Sequence, residues 1–232
     1  MNEDADLEAL RRFDGVARLF PLPDFVLFPH VLKGLHIFEQ RYRQMTEDAL
    51  ATDRLIAMVL LKPGWEEDYE GNPEIHSMSC IAHIVDHERL PDGKFNLEVR
   101  GLCRLQLEEE VLNLKLYRSA RGKIACDPIH EDNPIVRMEL AKAALPWLLN
   151  DKAAFSQLQA MFQSTLPLGV LCDILAYYLP LVAEAKQELL AEPGIDKRAE
   201  LMLRKLRTNP PEILPMPRPV RHRKFPPDFS VN

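Results

Sequence analysis

The chain has 232 residues, of which 47% are hydrophobic and 28% charged, and a formal net charge of −6. This length fits one large domain or two small ones and excludes a multi-domain enzyme, while the composition excludes a chain that is disordered throughout. Its longest apolar run, residues 55–61, is too short to cross a membrane, and the acidic start is not a signal peptide. Four cysteines without a CxxC motif predict reduced thiols in a cytoplasmic protein.

The first half of the chain is predicted to be mainly β-structure. We expect residues 1–15 to be a flexible N-terminus. Phe38, Tyr42, Met45 and Ala49 then recur at helical spacing and predict one helix. The continuous apolar run at 55–61 is typical of a strand that is covered on both faces.

A strand meander is predicted to complete this half. Asp92-Gly93 has the residue types of a hairpin turn, and apolar residues alternate with polar ones from Phe95 to Leu107. Leu112, Leu114 and Leu116 repeat the alternation and predict a further strand. Residues 16–126 should therefore form an antiparallel barrel-like sheet carrying one helix.

The second half changes to a helical period. Asn133-Pro134 is a helix-start signal, and four further amphipathic segments follow up to Leu206. We assign residues 127–207 to a helical bundle, so the fold class is α+β. Residues 208–232 contain seven of the nineteen prolines and should be an extended basic tail.

No motif in the chain predicts catalysis, a cofactor or a metal. The phosphate-binding pattern GxxxxGK[ST], the GxSxG elbow and the HExxH motif are all missing. His83 and His87 have metal-ligand spacing for a helix, but their surroundings are typical of a strand, which separates the two rings. We therefore predict a non-enzyme without cofactors.

Two segments are candidate binding elements. Residues 62–75 form a loop longer than a hairpin needs, and it carries Trp65 and Tyr69 as candidate peptide-binding residues. The alternative is that Trp65 packs onto the sheet. From Arg204 onward the chain has net charge +5, so the tail could contact nucleic acid or an acidic partner, or simply be a solubilising terminus.

Several short motifs resemble one known family. Residues 18–23 (RLFPLP), 26–29 (VLFP), 35–42 (LHIFEQRY), 91–93 (PDG) and 185–190 (AKQELL) resemble the amino-terminal substrate-binding domain of Lon ATP-dependent proteases. The resemblance covers about residues 16–206 and implies a PUA-like β pseudo-barrel followed by a helical bundle. It also implies a structural role for the following motif residues: Phe20, Pro21, Phe28, Pro29, His36, Phe38, Glu39, Arg41, Tyr42, Asp92, Gly93 and Gly101.

The function implied by the resemblance is binding without catalysis. We expect a stand-alone domain without ATPase or Ser-Lys peptidase domains, whose partners are unfolded polypeptides or one protein. The alternative is an RNA-binding protein, because PUA-like barrels in other families bind RNA. The net charge of −11 over residues 1–203 argues against nucleic acid. No membrane partner is predicted, and the oligomeric state is left open.

Overall fold

The computed structural model describes residues 3–68, 71–127, 132–148 and 152–208. These fall into two compact units, residues 3–126 and 127–208, each of which is described by itself. Among the helices of these ranges, none has both the length and the apolar character that a bilayer span requires. The expected tail, from residue 209 onward, lies outside the described residues.

The first unit contains the β-structure. Its elements in chain order are α1 (Glu3–Arg11), β1 (Val16–Leu22), β2 (Leu32–Ile37), α2 (Gln40–Leu50), β3 (Leu55–Leu60), a short 3₁₀ helix (Trp65–Asp68), β4 (Met78–Arg89), β5 (Phe95–Val111) and β6 (Ser119–Ala125).

The six strands form a ring-like sheet. Their order is β2-β5-β4-β3-β1-β6, and the long strand β5 also pairs with β6, which closes the ring. The α+β class is thereby confirmed, but the sheet is mixed and not antiparallel throughout. β1 and β3 pair in parallel, with Leu19 opposite Ala57, because the chain between them passes through β2 and α2 and returns to the same end.

The core of this unit lies inside the ring. All six residues of β3 are buried, as the apolar run predicted, and Leu19, Ile81 and Leu105 from three other strands pack in the same cluster as β3. On the outside, α2 buries Tyr42, Met45 and Ala49, and the Tyr42 ring meets that of Phe20 edge-on at 4.5 Å.

The start of α2 differs from the predicted stripe. Phe38 precedes the helix, is 39% exposed and stacks on His36, so it does not belong to the buried face. Glu39 occupies the N-cap position, where its carboxylate accepts a hydrogen bond of 2.8 Å from Arg41 Nε. The Arg41 guanidinium lies over the Tyr42 ring, so this ion pair and ring contact hold the first turn of α2.

The expected flexible N-terminus contains helix α1 instead. Asp6 accepts hydrogen bonds from His83 on β4 (2.7 Å) and from Arg100 on β5 (2.6 Å). Ala9 is buried in the core cluster of the sheet. These contacts join residues that are far apart in sequence, so the local sequence around α1 did not predict them.

The predicted hairpin joins β4 and β5. Leu90 N donates to Lys94 O at 2.8 Å, and Lys94 N donates to Asp92 Oδ1 at 3.1 Å. Gly93 has a φ of 79°, a conformation that glycine adopts without strain. The Asp-Gly pair was therefore sufficient to predict this turn.

The second unit is helical. Its elements are α3 (Pro134–Leu148), α4 (Lys152–Gln163), α5 (Leu168–Tyr178), α6 (Ala183–Ala191) and α7 (Ile195–Thr208). Inside it, the guanidinium of Arg198 on α7 is paired with the carboxylates of Asp127 and Asp173. Helix α3 begins at the predicted Asn133-Pro134 signal, where Asn133 Oδ1 accepts a hydrogen bond of 3.0 Å from Ile135 N.

Candidate functional site

The most exposed apolar side chains of the first unit lie between β5 and β6. We call residues 112–116 the leucine loop. Leu112 and Leu114 are fully exposed, and Leu116 is half-exposed. The alternating leucines predicted a strand here, which is wrong, because β5 ends at Val111 and the next strand begins at Ser119.

The turn inside the leucine loop explains that error. Asn113 Oδ1 accepts a hydrogen bond of 2.7 Å from Lys115 N, and Asn113 Nδ2 donates to Ser119 Oγ at 3.0 Å. An asparagine that binds the backbone two residues later forms a turn in place of a strand. The alternating spacing of the leucines is equally compatible with a strand, so spacing alone did not distinguish a strand from a turn.

Side chains of helix α2 bind the leucine loop and the residue that follows it. Leu116 N donates to Gln44 Oε1 at 2.8 Å, and Tyr117 OH donates to Asp48 Oδ2 at 2.8 Å. Lys115 Nζ forms an ion pair with the same Asp48 carboxylate at 2.9 Å. The leucines are thus displayed on a loop whose backbone is fixed by side chains of α2.

Asp48 and Tyr117 influence each other's protonation. Burial raises the pKa of Tyr117 to about 12, with the Asp48 hydrogen bond as a further cause. Burial tends to raise the pKa of Asp48, but hydrogen bonds from Lys115 and Tyr117 outweigh it and lower that pKa. The pair is therefore a neutral phenol on a charged carboxylate over the whole neutral range, and it anchors the loop there.

The loop at residues 62–75 contacts the chain just after the leucine loop. Arg118, just before β6, donates from Nη1 to Pro73 O at 2.8 Å and from Nε to Glu110 Oε2 at 2.9 Å. An isolated bridge between Leu61 and Ile75 closes the base of the 62–75 loop. Both loops therefore lie at the same end of the ring.

The predicted peptide-binding pair is only partly described. Trp65 begins the 3₁₀ helix of the 62–75 loop and is half-buried, whereas Tyr69 lies outside the described residues. The three leucines were missed as binding candidates, although three large apolar residues spaced two apart around a turn-forming asparagine are a readable signal.

Of the twelve motif residues, five are buried, five are half-buried, and Phe38 and Asp92 are exposed. Phe20, Phe28, Pro29 and Tyr42 are buried, and Pro21 is half-buried in β1. These residues support the sheet and helix α2, and the described contacts do not bring them together with Trp65 into one surface.

Gly101 and His36 have clear local roles. Gly101 lies where a Cβ atom would be 2.1 Å from Phe28 O. His36 Nδ1 is 2.8 Å from Asn96 Oδ1 on the neighbouring strand. Both residues therefore fix the pairing of β5 with the chain around β2.

A second apolar surface lies in the helical unit. A cavity of about 410 Å³ opens between α3 and α4, with Met138, Leu145 and Phe162 in its lining. Across the described ranges of both units, no group of three His, Cys, Asp or Glu side chains is arranged to hold a metal ion.

The sequence matches one protein family. The model of the ATP-dependent protease La (LON) substrate-binding domain matches residues 16–208. Lon protease 1 of Thermus thermophilus is 26% identical over 190 residues, which cover 80% of this chain and 24% of that protein. Lon protease of Brucella abortus is 25% identical over 195 residues, which cover 82% and 23%. The chain thus spans about a quarter of the length of these curated relatives.

Two solved structures have a similar fold. The Lon N-terminal domain protein from Xanthomonas campestris superposes with a TM-score of 0.62 at 23% identity, covering 82% of this chain and 97% of that one. The N-terminal domain of Mycobacterium avium complex Lon protease gives a TM-score of 0.65 at 15% identity, covering 83% and 98%. At sequence identities this low, the two superpositions show a shared fold and do not show a shared function.

Proposed function

Because the chain belongs to the family of Lon substrate-binding domains, we propose that it binds apolar segments of unfolded polypeptides and does not cleave them. The observation that carries the proposal is the leucine loop, which presents three apolar side chains to solvent on a fixed backbone. Several large apolar side chains exposed within five residues are typical of an interaction surface.

The physical gain from this surface is hydrophobic. In the free protein the side chains of Leu112 and Leu114 are in water. A partner can therefore bury them without disrupting any packing inside this protein. Burying one leucine side chain against a partner contributes about 1.5 to 3 kcal/mol. Since hydrogen bonds to α2 already fix the loop, little backbone freedom is lost on binding.

The leucine loop gives the first test. The double substitution Leu112→Ser with Leu114→Ser removes two such leucines, so it should raise the Kd for a permanently unfolded, carboxymethylated polypeptide by about 100-fold or more. The melting temperature should stay unchanged, because neither side chain is buried. Fluorescence anisotropy and thermal denaturation measure the two quantities.

The control for this test is Leu7→Ser. Leu7 is 54% exposed on α1, so the change removes an exposed leucine elsewhere in the same unit. Affinity should be unchanged in this variant. Equal affinities for wild-type and double-variant protein would contradict the proposed surface, and peptide cleavage by the purified protein would contradict the non-catalytic role.

We include Trp65 in the same surface, and we keep Tyr69, which lies outside the described residues, as a candidate from the sequence alone. The 62–75 loop contacts Arg118, just after the leucine loop, and an aromatic side chain adds a large contact area at small entropic cost. The acidic residues Glu66 and Glu67 next to Trp65 favour basic residues flanking the bound apolar segment.

Trp65→Ala tests that extension. Binding of the carboxymethylated polypeptide should weaken by about 1 to 3 kcal/mol if Trp65 contacts the segment. Because Trp65 is only half-buried, the loss of stability should remain below the roughly 3 to 5 kcal/mol that an emptied core tryptophan site costs. A stability loss of that full size with unchanged affinity would show that Trp65 packs on the sheet instead.

Structured RNA is the rival ligand in these assays. RNA binding depends on neutralising phosphates, so its affinity falls steeply between low and moderate salt. Binding through leucines should change little over the same range. The polypeptide proposal would be replaced by RNA binding if the protein bound a structured RNA tightly and in a salt-sensitive manner, and if the leucine substitutions did not weaken that binding.

A further inference from the structure

Two cysteines face each other across the β5–β6 pair. The register places Arg104 opposite Ala125 and Leu105 opposite Ile124. One step further along the same antiparallel register brings Cys103 on β5 opposite Cys126, the residue after β6. Both are free thiols in this structure.

The geometry of this pair suits a disulfide. Residues directly opposite in an antiparallel pair point to the same face, with Cα atoms about 4.5 or 5.5 Å apart. A disulfide forms without backbone movement when the Cα atoms are about 4.4 to 6.8 Å apart. Cys126 also contributes to raising the pKa of Cys103, which agrees with a short separation of the two thiols.

The two thiols differ in accessibility. Cys126 is exposed, whereas Cys103 is 7% exposed. Burial, with a further contribution from Cys126, raises the pKa of Cys103 to about 12. An oxidant in solution therefore meets Cys126 first, and Cys103 is the neighbouring thiol that can react second.

We propose that Cys126 and Cys103 form an oxidation site at which a peroxide produces an intramolecular disulfide. The Cys126 thiolate attacks one peroxide oxygen and becomes a sulfenic acid, and the departing hydroxide takes up the thiol proton as water. The Cys103 sulfur then attacks the Cys126 sulfur, forms the S–S bond and releases the second water. Two thiols and one hydrogen peroxide thus become one disulfide and two waters.

The burial of Cys103 determines which step is slow. Because Cys103 is buried, its approach to the Cys126 sulfur limits the second step, and the sulfenic acid on Cys126 is the species that dimedone traps. A dithiol reductant returns both thiols by supplying two electrons and two protons. The disulfide ties the end of β6 to the middle of β5, which fixes the position at which the chain leaves the sheet.

Mass spectrometry of the full-length chain tests the site. After treatment with hydrogen peroxide, wild-type protein should lose the mass of two hydrogens and yield a linked peptide pair containing Cys103 and Cys126. Dithiothreitol should reverse the change. Cys103→Ser should accumulate a dimedone adduct on Cys126, and Cys126→Ser should leave Cys103 fully available for alkylation after unfolding.

Cys172→Ser is the matched control, because Cys172 is a fully buried thiol in the helical unit. It should form the same linked peptide as wild-type protein. Recovery of both cysteines as free thiols after peroxide treatment would overturn the proposal. Cys126 oxidised beyond the sulfenic acid without any link to Cys103, or linked only between two chains, would overturn it as well.

Discussion

Replacing Arg198 by methionine should destabilise the helical unit by about 3 to 5 kcal/mol. The Arg198 side chain is 0% exposed, and its guanidinium reaches Asp127 at 2.6 Å and Asp173 at 3.0 Å. Burial by itself lowers the pKa of Arg198, but the hydrogen bond to Asp127 and the two negative charges raise it, so the group stays charged. Methionine keeps most of the volume and leaves the 1% exposed carboxylate of Asp173 without its cation.

Urea denaturation followed by circular dichroism measures this loss. The control is Arg207→Met in the same helix, because the Arg207–Glu139 ion pair is exposed and should contribute less than about 1 kcal/mol. Asp173→Asn provides a second variant that breaks the pair from the other side. Unfolding of both Arg198→Met and Asp173→Asn at the wild-type urea concentration would show that the ion pairs do not stabilise this unit.

Gly101→Ala should destabilise the first unit by about 3 kcal/mol or more. An added Cβ would lie 2.1 Å from the backbone oxygen of Phe28 and 3.0 Å from Cys80 Sγ. Gly101 also donates to Val31 O at 2.9 Å and accepts from His30 N at 2.8 Å, so the two segments cannot separate without losing these bonds. The added Cβ collides with a backbone atom, so the collision cannot be relieved by rotating a flexible side chain. The backbone of β5 or of the segment around Phe28 must move instead.

Gly64→Ala is the matched control for this substitution. Gly64 has a φ of 91° and open space around its Cβ position, so alanine there meets only backbone strain, which costs about 1 to 3 kcal/mol. Thermal denaturation of both variants gives the comparison. A Gly101→Ala protein that melts at or above the temperature of Gly64→Ala would contradict the close approach to Phe28.

Several elements could be predicted because their causes are local. The apolar run of β3, the Asp92-Gly93 turn and the Asn133-Pro134 start of α3 each result from patterns within about ten residues. The family resemblance, carried by motifs of three to eight residues, is confirmed by a match over residues 16–208. The proposed binding surface could not be predicted from such local patterns, because the exposure of a side chain depends on which strands pair with each other in the folded protein.

The sequence by itself determined the α+β class, the family and the order of most helices and strands, since periodicity, turn residues and short motifs act over short stretches of chain. Only the tertiary structure decided the parallel pairing of β1 with β3, the contacts of Asp6 with His83 and Arg100, and the exposure of the leucine loop. The same holds for the register of β5 with β6, on which the proposed cysteine pair depends, and for the pairing of Arg198 with its two carboxylates. The physical reason is that these features depend on contacts between residues 20 to 90 or more positions apart, and a local pattern does not specify the partner of a strand, a charge or a thiol.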